Sequence, residues 1–170
     1  VTATIPAAIA GLIFEKKAET VFRSPLLIAI MLAVFAVILW IADYFGSKQE
    51  SMDKIDLKSA VIIGIAQVLA LLPGVSRSGI TMTAGLFKGF SRETAARFSF
   101  LLATPIIIAA GVLKLHKLQG ADLNAAFWMG VLFSAASGFA GIHFLLNLVK
   151  KYSLKVFVFY RIAVSIVIIL

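Results

Sequence analysis

Residues 25–45 form an apolar run that contains no charged side chain before Asp43. About 20 apolar residues are needed to cross the hydrocarbon core of a bilayer, so this run predicts a membrane-spanning helix. Pro25 suits the first position of that helix. Trp40 and Tyr44 near its other end suit the membrane interface.

The composition extends this prediction to the whole chain. Hydrophobic residues make up 61% of the 170 residues and charged residues only 14%, whereas a soluble domain has about 25% charged residues. The formal net charge of +8 calls for no nucleic-acid partner, because basic loops between apolar spans are what membrane orientation requires. The chain has no cysteine, which excludes disulfides and thiolate chemistry.

Charged and turn residues divide the chain into further apolar runs, which predict an all-α, polytopic membrane bundle. The predicted helices cover 1–14, as the stump of one helix, and 25–45, 59–72, 80–86, 91–115, 125–149 and 156–170. Ser91 is the expected N-cap of its helix, and the small residues of Ser134–Gly141 suit close packing, within the chain or in a homodimer. The chain opens and closes inside apolar runs, which predicts one membrane-embedded domain cut from a longer protein.

The segment 59–89 contains two apolar arms that are each too short to cross a bilayer. Between them Pro73 removes a backbone donor and ends the first arm. A re-entrant pair, which dips into the membrane and returns, is therefore favoured over a spanning segment.

With a re-entrant pair, the loops 46–58, 88–97 and 150–155 lie on one side of the membrane. These loops carry nine Lys/Arg against five on the other side, which predicts that they are cytoplasmic.

The break between the two arms also contains the residues that indicate a binding site. Gly74 and Gly79 permit positive φ and close approach of a ligand to the backbone. Backbone N–H groups at the start of the second arm favour an anion, and the Arg77 guanidinium matches phosphate oxygens. An arginine at membrane depth costs about 2.5 kcal/mol or more, so an anionic partner is expected. With the hydroxyls of Ser76 and Ser78, these residues predict a phosphate cradle.

The residues alone leave three alternatives open. In the first, Arg77 reaches the interface or pairs with Asp43, and the proline and glycines only make a turn. In the second, the broken helix forms the anion site of a secondary transporter. In the third, the protein is a lipid-binding structural subunit that neither hydrolyses nor transports. A nucleotide P-loop is excluded, because the spacing of Gly74 and Gly79 is not followed by the required lysine.

The break and its surroundings resemble a known family. Pro73-Gly-Val-Ser-Arg-Ser-Gly79, with Gly64-Ile-Ala-Gln67 before it and Ser91–Phe100 after it, closely resembles the undecaprenyl pyrophosphate phosphatase family of bacterial membranes, the bacitracin-resistance type. The resemblance extends to Phe22-Arg-Ser-Pro25 and to Tyr160-Arg161 in the last helix. The long match around Arg77 is specific, whereas the apolar spans alone are not.

The resemblance implies a multi-pass hydrolase of the bacterial plasma membrane. It would release phosphate from undecaprenyl diphosphate and so recycle the lipid carrier of cell-wall synthesis, with a divalent metal ion such as Mg²⁺ or Ca²⁺. Residues 25–170 would form one of two inverted repeats, with 59–89 as its re-entrant pair and 1–24 as the end of the preceding repeat. The other repeat would bring two glutamates, a Ser-Ser and a His. No glutamate lies inside an apolar span here, so metal ligands are expected outside this chain, which is predicted to be inactive alone.

Carried over to this sequence, the resemblance makes Arg77 the phosphate-binding cation. The candidate catalytic residues are Arg77, Ser76 and Ser78, and the candidate substrate-binding residues are Gly74, Gly79 and Thr81. The expected partners are a polyprenyl diphosphate and membrane lipids.

Structural roles are expected for the other polar residues of the spans. His143 should bond to a neighbouring helix, and Asp43 should be hydrated or paired with lysine. Arg97 and Arg161 are expected at interfaces or between helices, with an outer position near the site as the alternative for Arg161.

Overall fold

A computed structural model describes residues 2–11, 13, 24–46, 49–115 and 124–170, and in these ranges the chain is a bundle of helices without strands. The helices are α1 (Thr2–Gly11), α2 (Pro25–Phe45), α3 (Leu57–Val68), α4 (Arg77–Phe87), α5 (Arg92–Leu115), α6 (Ala125–Lys151) and α7 (Lys155–Ile169). By length and composition, α2, the Arg92–Val112 part of α5, and α6 are able to cross a membrane. The expected all-α membrane bundle is confirmed.

Most predicted helix bounds agree with the structure. The N-cap of α5 is also confirmed, because Ser91 Oγ accepts a hydrogen bond from the Thr94 N–H at 3.1 Å. The second short arm begins earlier than the apolar pattern predicts, at Arg77 instead of Ile80. A polar connector is expected at 15–24 and a short loop between the helices at 91–115 and 125–149, and residues 15–23 and 116–123 of these lie outside the described residues.

Small side chains bring the central helices close together. α2 packs along α7 and against α4, while α4 also contacts α3 and α5. The main core combines alanines with a few larger residues: Ala36, Leu39, Ala42, Met82, Leu86, Ala95, Ala96, Val149, Leu154 and Val158. Between membrane helices, small residues favour association because they allow the backbones to approach closely.

Asp43 at the end of α2 joins three helices. The residue is 4% exposed, and its Oδ2 accepts hydrogen bonds from Arg92 Nη2 at 3.2 Å and from the Leu154 N–H at 3.1 Å. The expectation of a hydrated or lysine-paired carboxylate is therefore wrong, because α5 and α7 both begin beside the end of α2. Since Asp43 is paired with Arg92, the alternative pairing with Arg77 is also wrong.

The loops that flank the two short helices meet at the same end of the bundle. The N–H groups of Gln49 and Glu50 donate to the Gly89 carbonyl, and the Ser91 N–H donates to the Glu50 carbonyl. Nearby, Lys150 Nζ lies 3.1 Å from the Glu93 carboxylate. The chain therefore enters α3 and leaves α4 on one side of the bundle.

In contrast, α6 packs lightly against the rest of the described chain. None of its apolar window is buried, and Ser134–Gly141 is exposed. The close packing expected for these small residues thus does not occur within the described part of the chain. The prediction for His143 is wrong, since its Nε2 lies 2.9 Å from Asn147 Nδ2 on the same helix. His143 is exposed within the described part of the chain.

We expect Asp43→Asn to lower the free energy of unfolding by about 2–3 kcal/mol, less than for a fully buried pair because Arg92 is 27% exposed. Glu93→Gln is the matched control, since it removes only exposed ion pairs to Arg97 and Lys150 and should cost less than about 1 kcal/mol. Chemical unfolding of the detergent-solubilised protein measures both. Equal losses would show that the Asp43 junction contributes no more than a surface pair.

Asp56 caps α3 and predicts a pH dependence. Its Oδ1 accepts from the Ser59 N–H at 2.8 Å, and hydrogen bonds from Ser59 lower the pKa of Asp56. Because the folded pKa lies below the unfolded value, the cap stabilises the protein above about pH 4 and is lost as the pH falls through the folded pKa. Asp56→Ala should therefore lower the midpoint of thermal unfolding at neutral pH, with a difference that shrinks in acid. A difference independent of pH would contradict this role.

Candidate anion-binding site

The chain leaves helical geometry between α3 and α4, close to the backbone of α2. Gly74 has a φ of +91°, and a Cβ at this position would lie 2.5 Å from the Ile28 carbonyl oxygen. Only glycine fits both the backbone conformation and the space. Ile28 lies about 22 Å along α2 from Asp43 at 1.5 Å per residue. The break is therefore far from the end of the bundle where the loops meet.

A serine cap begins α4 directly after the break. Ser76 Oγ accepts a hydrogen bond from the Gly79 N–H at 3.2 Å and lies 3.3 Å from Ser78 Oγ. This cap explains why the helix begins at Arg77 instead of Ile80. The first N–H groups of a helix lack intrahelical acceptors and carry the positive end of its dipole, so this turn favours an anion.

Arg161 of α7 contacts the same break, although it lies 87 residues after Gly74 in the sequence. Its side chain is buried, and its Nη2 donates to the Gly74 carbonyl at 3.0 Å. The expected interhelical role of Arg161 is thus confirmed. The sequence indicated an outer position near the site only as an alternative for Arg161 and did not place it among the candidate catalytic or binding residues. One feature of the sequence could have identified it: Arg161 is the only charged residue in 156–170.

A cavity of about 320 Å³ adjoins the start of α4. Its polar lining comes from Ser76, Ser78, Gly79, Ser99, Tyr160 and Arg161. The other lining residues are apolar: Leu32, Leu39, Met82, Phe100, Leu145, Leu154 and Phe157. Such a lining suits a ligand that combines an anionic group with a hydrocarbon chain.

The predicted site residues divide into two groups. Ser76, Ser78 and Gly79 line the cavity, whereas Gly74, Arg77 and Thr81 do not. Thr81 is 1% exposed, and its hydroxyl hydrogen-bonds with the Arg77 carbonyl at 2.9 Å and with Ser99 Oγ at 2.8 Å. Thr81 thus connects α4 to α5.

Arg77 is half-buried beside the cap. Within the part of the chain that the structure describes, it makes no ion pair or side-chain hydrogen bond. The catalytic and binding roles of Arg77 and the other candidates stay predictions.

The donor groups at the break suit an anion and not a metal ion. Among the described residues, no group of three or more His, Cys, Asp or Glu side chains is arranged to hold a metal. The cavity lining contributes hydroxyls, backbone N–H groups and a guanidinium but no carboxylate, whereas Mg²⁺ and Ca²⁺ prefer carboxylate oxygens. These residues do not fit the metal that the family resemblance implies, so no step through a metal is derived from them.

These features define an all-α membrane protein in which a helix break adjoins a cavity with polar and apolar lining. The family model described as "Bacitracin resistance protein BacA" matches residues 1–167. The chain belongs to this family, which confirms the resemblance drawn from the sequence.

Curated relatives agree with this family. The chain is 52% identical to an "Undecaprenyl-diphosphatase" of Moorella thermoacetica over 97% of its length and 63% of the relative. It is 54% identical to a protein of the same name from Elusimicrobium minutum, over 100% of the chain and 65% of the relative. A third, from Geobacter sulfurreducens, is 52% identical over 95% of the chain and 62% of the relative. The chain thus spans less than two thirds of the length of these relatives.

We expect Gly74→Ala to lower the free energy of unfolding by about 1–3 kcal/mol, because the new Cβ meets the Ile28 carbonyl and the positive φ becomes strained. Gly138→Ala is the matched control. It adds the same methyl group in α6, where no atom lies within 4 Å, and should be neutral or slightly stabilising. Thermal unfolding in detergent compares the two. Equal stability of both variants would contradict the close approach of Gly74 to α2.

Proposed function

We propose that this chain forms the phosphate-binding part of an undecaprenyl-diphosphatase in the bacterial plasma membrane. The reaction would hydrolyse the lipid diphosphate to the monophosphate and phosphate, which recycles the carrier for cell-wall synthesis. The observation that carries the proposal is the capped start of α4, which adjoins a cavity with both polar and apolar lining. The names of the relatives support the same substrate. They give no support to a transporter.

In this proposal the diphosphate binds at the first turn of α4. The hydroxyls of Ser76 and Ser78 donate to phosphate oxygens, and Arg77 supplies a positive charge that no described carboxylate neutralises. The apolar lining, which includes Leu39 and Phe157, receives the first isoprene units. Hydrolysis of a diphosphate depends mainly on positioning and charge stabilisation, which are the contributions that these residues are suited to make.

In this proposal, the metal ligands and the general base are not among the residues that line the cavity. The lining of the cavity contains no carboxylate, so we propose that a second repeat supplies the glutamates and the Mg²⁺ or Ca²⁺ that they bind. The chain alone would then bind phosphate groups without hydrolysing them.

We further infer that α3 and α4 form a re-entrant pair and that 25–170 is one of two inverted repeats in a multi-pass protein. The hydrogen bonds that join Gln49 and Glu50 to Gly89 and Ser91 support this arrangement, because they bring the entry and the exit of the pair together. The lengths of the two helices support it as well, since α3 with its last turn (Leu57–Leu71) and α4 are each shorter than the roughly 20 residues of a full span.

The proposal is tested by fusing the N-terminal repeat of the Moorella thermoacetica relative ahead of Val1 and measuring phosphate release from a prenyl diphosphate. Arg77→Ala should lower the rate at least about 100-fold, as removal of one stabilising donor does in other enzymes. Arg77→Lys should give a rate of phosphate release between those of the wild type and Arg77→Ala, since lysine lacks the planar fork of the guanidinium.

Arg97→Ala is the matched control and should leave the rate near wild type, because Arg97 is 48% exposed and pairs only with Glu93 in the described chain. Near wild-type rates for both Arg77 variants would refute the role of Arg77. Uptake of a labelled anion into proteoliposomes without phosphate release would instead favour a transporter.

A further inference from the structure

We propose that Arg161 is a second anion-binding cation of this site, which binds a phosphate oxygen of the group held at the start of α4. The inference rests on the proposed function for the identity of the ligand as a diphosphate. It adds a residue from the last helix to a site that the sequence placed entirely within 74–81.

The charge of Arg161 is not neutralised by the described part of the chain. The side chain is 6% exposed, and a guanidinium stays charged and carries five N–H donors. Among the described residues, Nη2 alone has an acceptor, the Gly74 carbonyl, while Nε is enclosed without a hydrogen-bond partner. The described carboxylates that form ion pairs, Asp43 and Glu93, are bound to other basic residues. A buried charge without a counterion is costly, so an anion is the expected partner.

The free edge of the guanidinium lies against the first turn of α4. Arg161 Nη1 is 2.9 Å from the point that a Cβ on Gly79 would occupy. The Gly79 N–H forms the cap hydrogen bond with Ser76, and Arg161, Ser76, Ser78 and Gly79 line one cavity. A phosphate bound at this helix start is therefore within reach of Nη1. The absence of a side chain at Gly79 leaves the space that the guanidinium needs.

Two contacts with α2 hold Arg161 and the break in a fixed relation. One turn beyond Arg161, Ser165 Oγ donates to the Ala29 carbonyl at 2.7 Å. The neighbouring residue Ile28 is the one that Gly74 approaches. Because α7 and the break both rest on the same turn of α2, the Gly74 carbonyl can orient the guanidinium before any ligand binds.

The test measures binding of inorganic pyrophosphate and of farnesyl diphosphate to the full chain in detergent by isothermal titration. Arg161→Gln should raise the Kd for both ligands about 10- to 100-fold, as expected for loss of a charge-assisted hydrogen bond. Arg161→Lys should bind with an intermediate Kd, because one ammonium cannot serve the Gly74 carbonyl and a phosphate as the planar fork does. Arg97→Gln, the matched control at an exposed arginine, should leave the Kd unchanged.

A second measurement uses the wild-type chain and so does not depend on the folding of the variants. With ¹⁵N-labelled arginine, the side-chain resonance of Arg161 should shift as pyrophosphate saturates the site, whereas that of Arg97 should not. A static Arg161 resonance at saturation, an unchanged Kd in both Arg161 variants, or no pyrophosphate binding to the wild-type chain would each overturn the inference. Failure of the proposed function is a separate result: the fusion protein would release no phosphate although pyrophosphate binds and Arg161 responds.

Discussion

The site depends on a helix break that the bundle stabilises from two sides. Backbone that is not helical is tolerated at membrane depth only where its polar groups find partners in the protein or in a cavity. Here the Gly74 carbonyl accepts from Arg161, and Ser76 caps the helix that follows. The break in turn rests on α2 at Ile28. Without these contacts, the start of α4 would not be held beside the cavity.

The parts of the structure that follow local sequence patterns were predictable. The uncharged run 25–45 defines α2, Ser91 marks the start of α5, and the proline and glycines of 73–79 mark the break. Each of these depends on neighbours within a few residues, so one sequence is enough to recognise them. The prediction of an anionic ligand rests on the same kind of local pattern, because hydroxyls, glycines and an arginine occur together at a helix start.

The pairing of distant residues was not predictable. Asp43 binds Arg92 and the backbone of Leu154, and Arg161 binds Gly74. These partners lie far apart in the sequence, and their contact depends on which helices are neighbours, for which apolar periodicity gives no signal. The contact of Thr81 with a neighbouring helix was not predictable either. The sequence places it next to the cradle, but its orientation in α4 directs the hydroxyl toward Ser99 of α5.

The length of α6 has a consequence for the lipid around the protein. Its 27 residues extend about 40 Å at 1.5 Å per residue, which exceeds the roughly 30 Å of a bilayer core, so in a membrane its ends reach the headgroup regions or the helix tilts. One end of α6 is tied to α5 through Lys150 and Glu93. A change in bilayer thickness is therefore expected to change the tilt of α6 mainly at its other end, near Asn124.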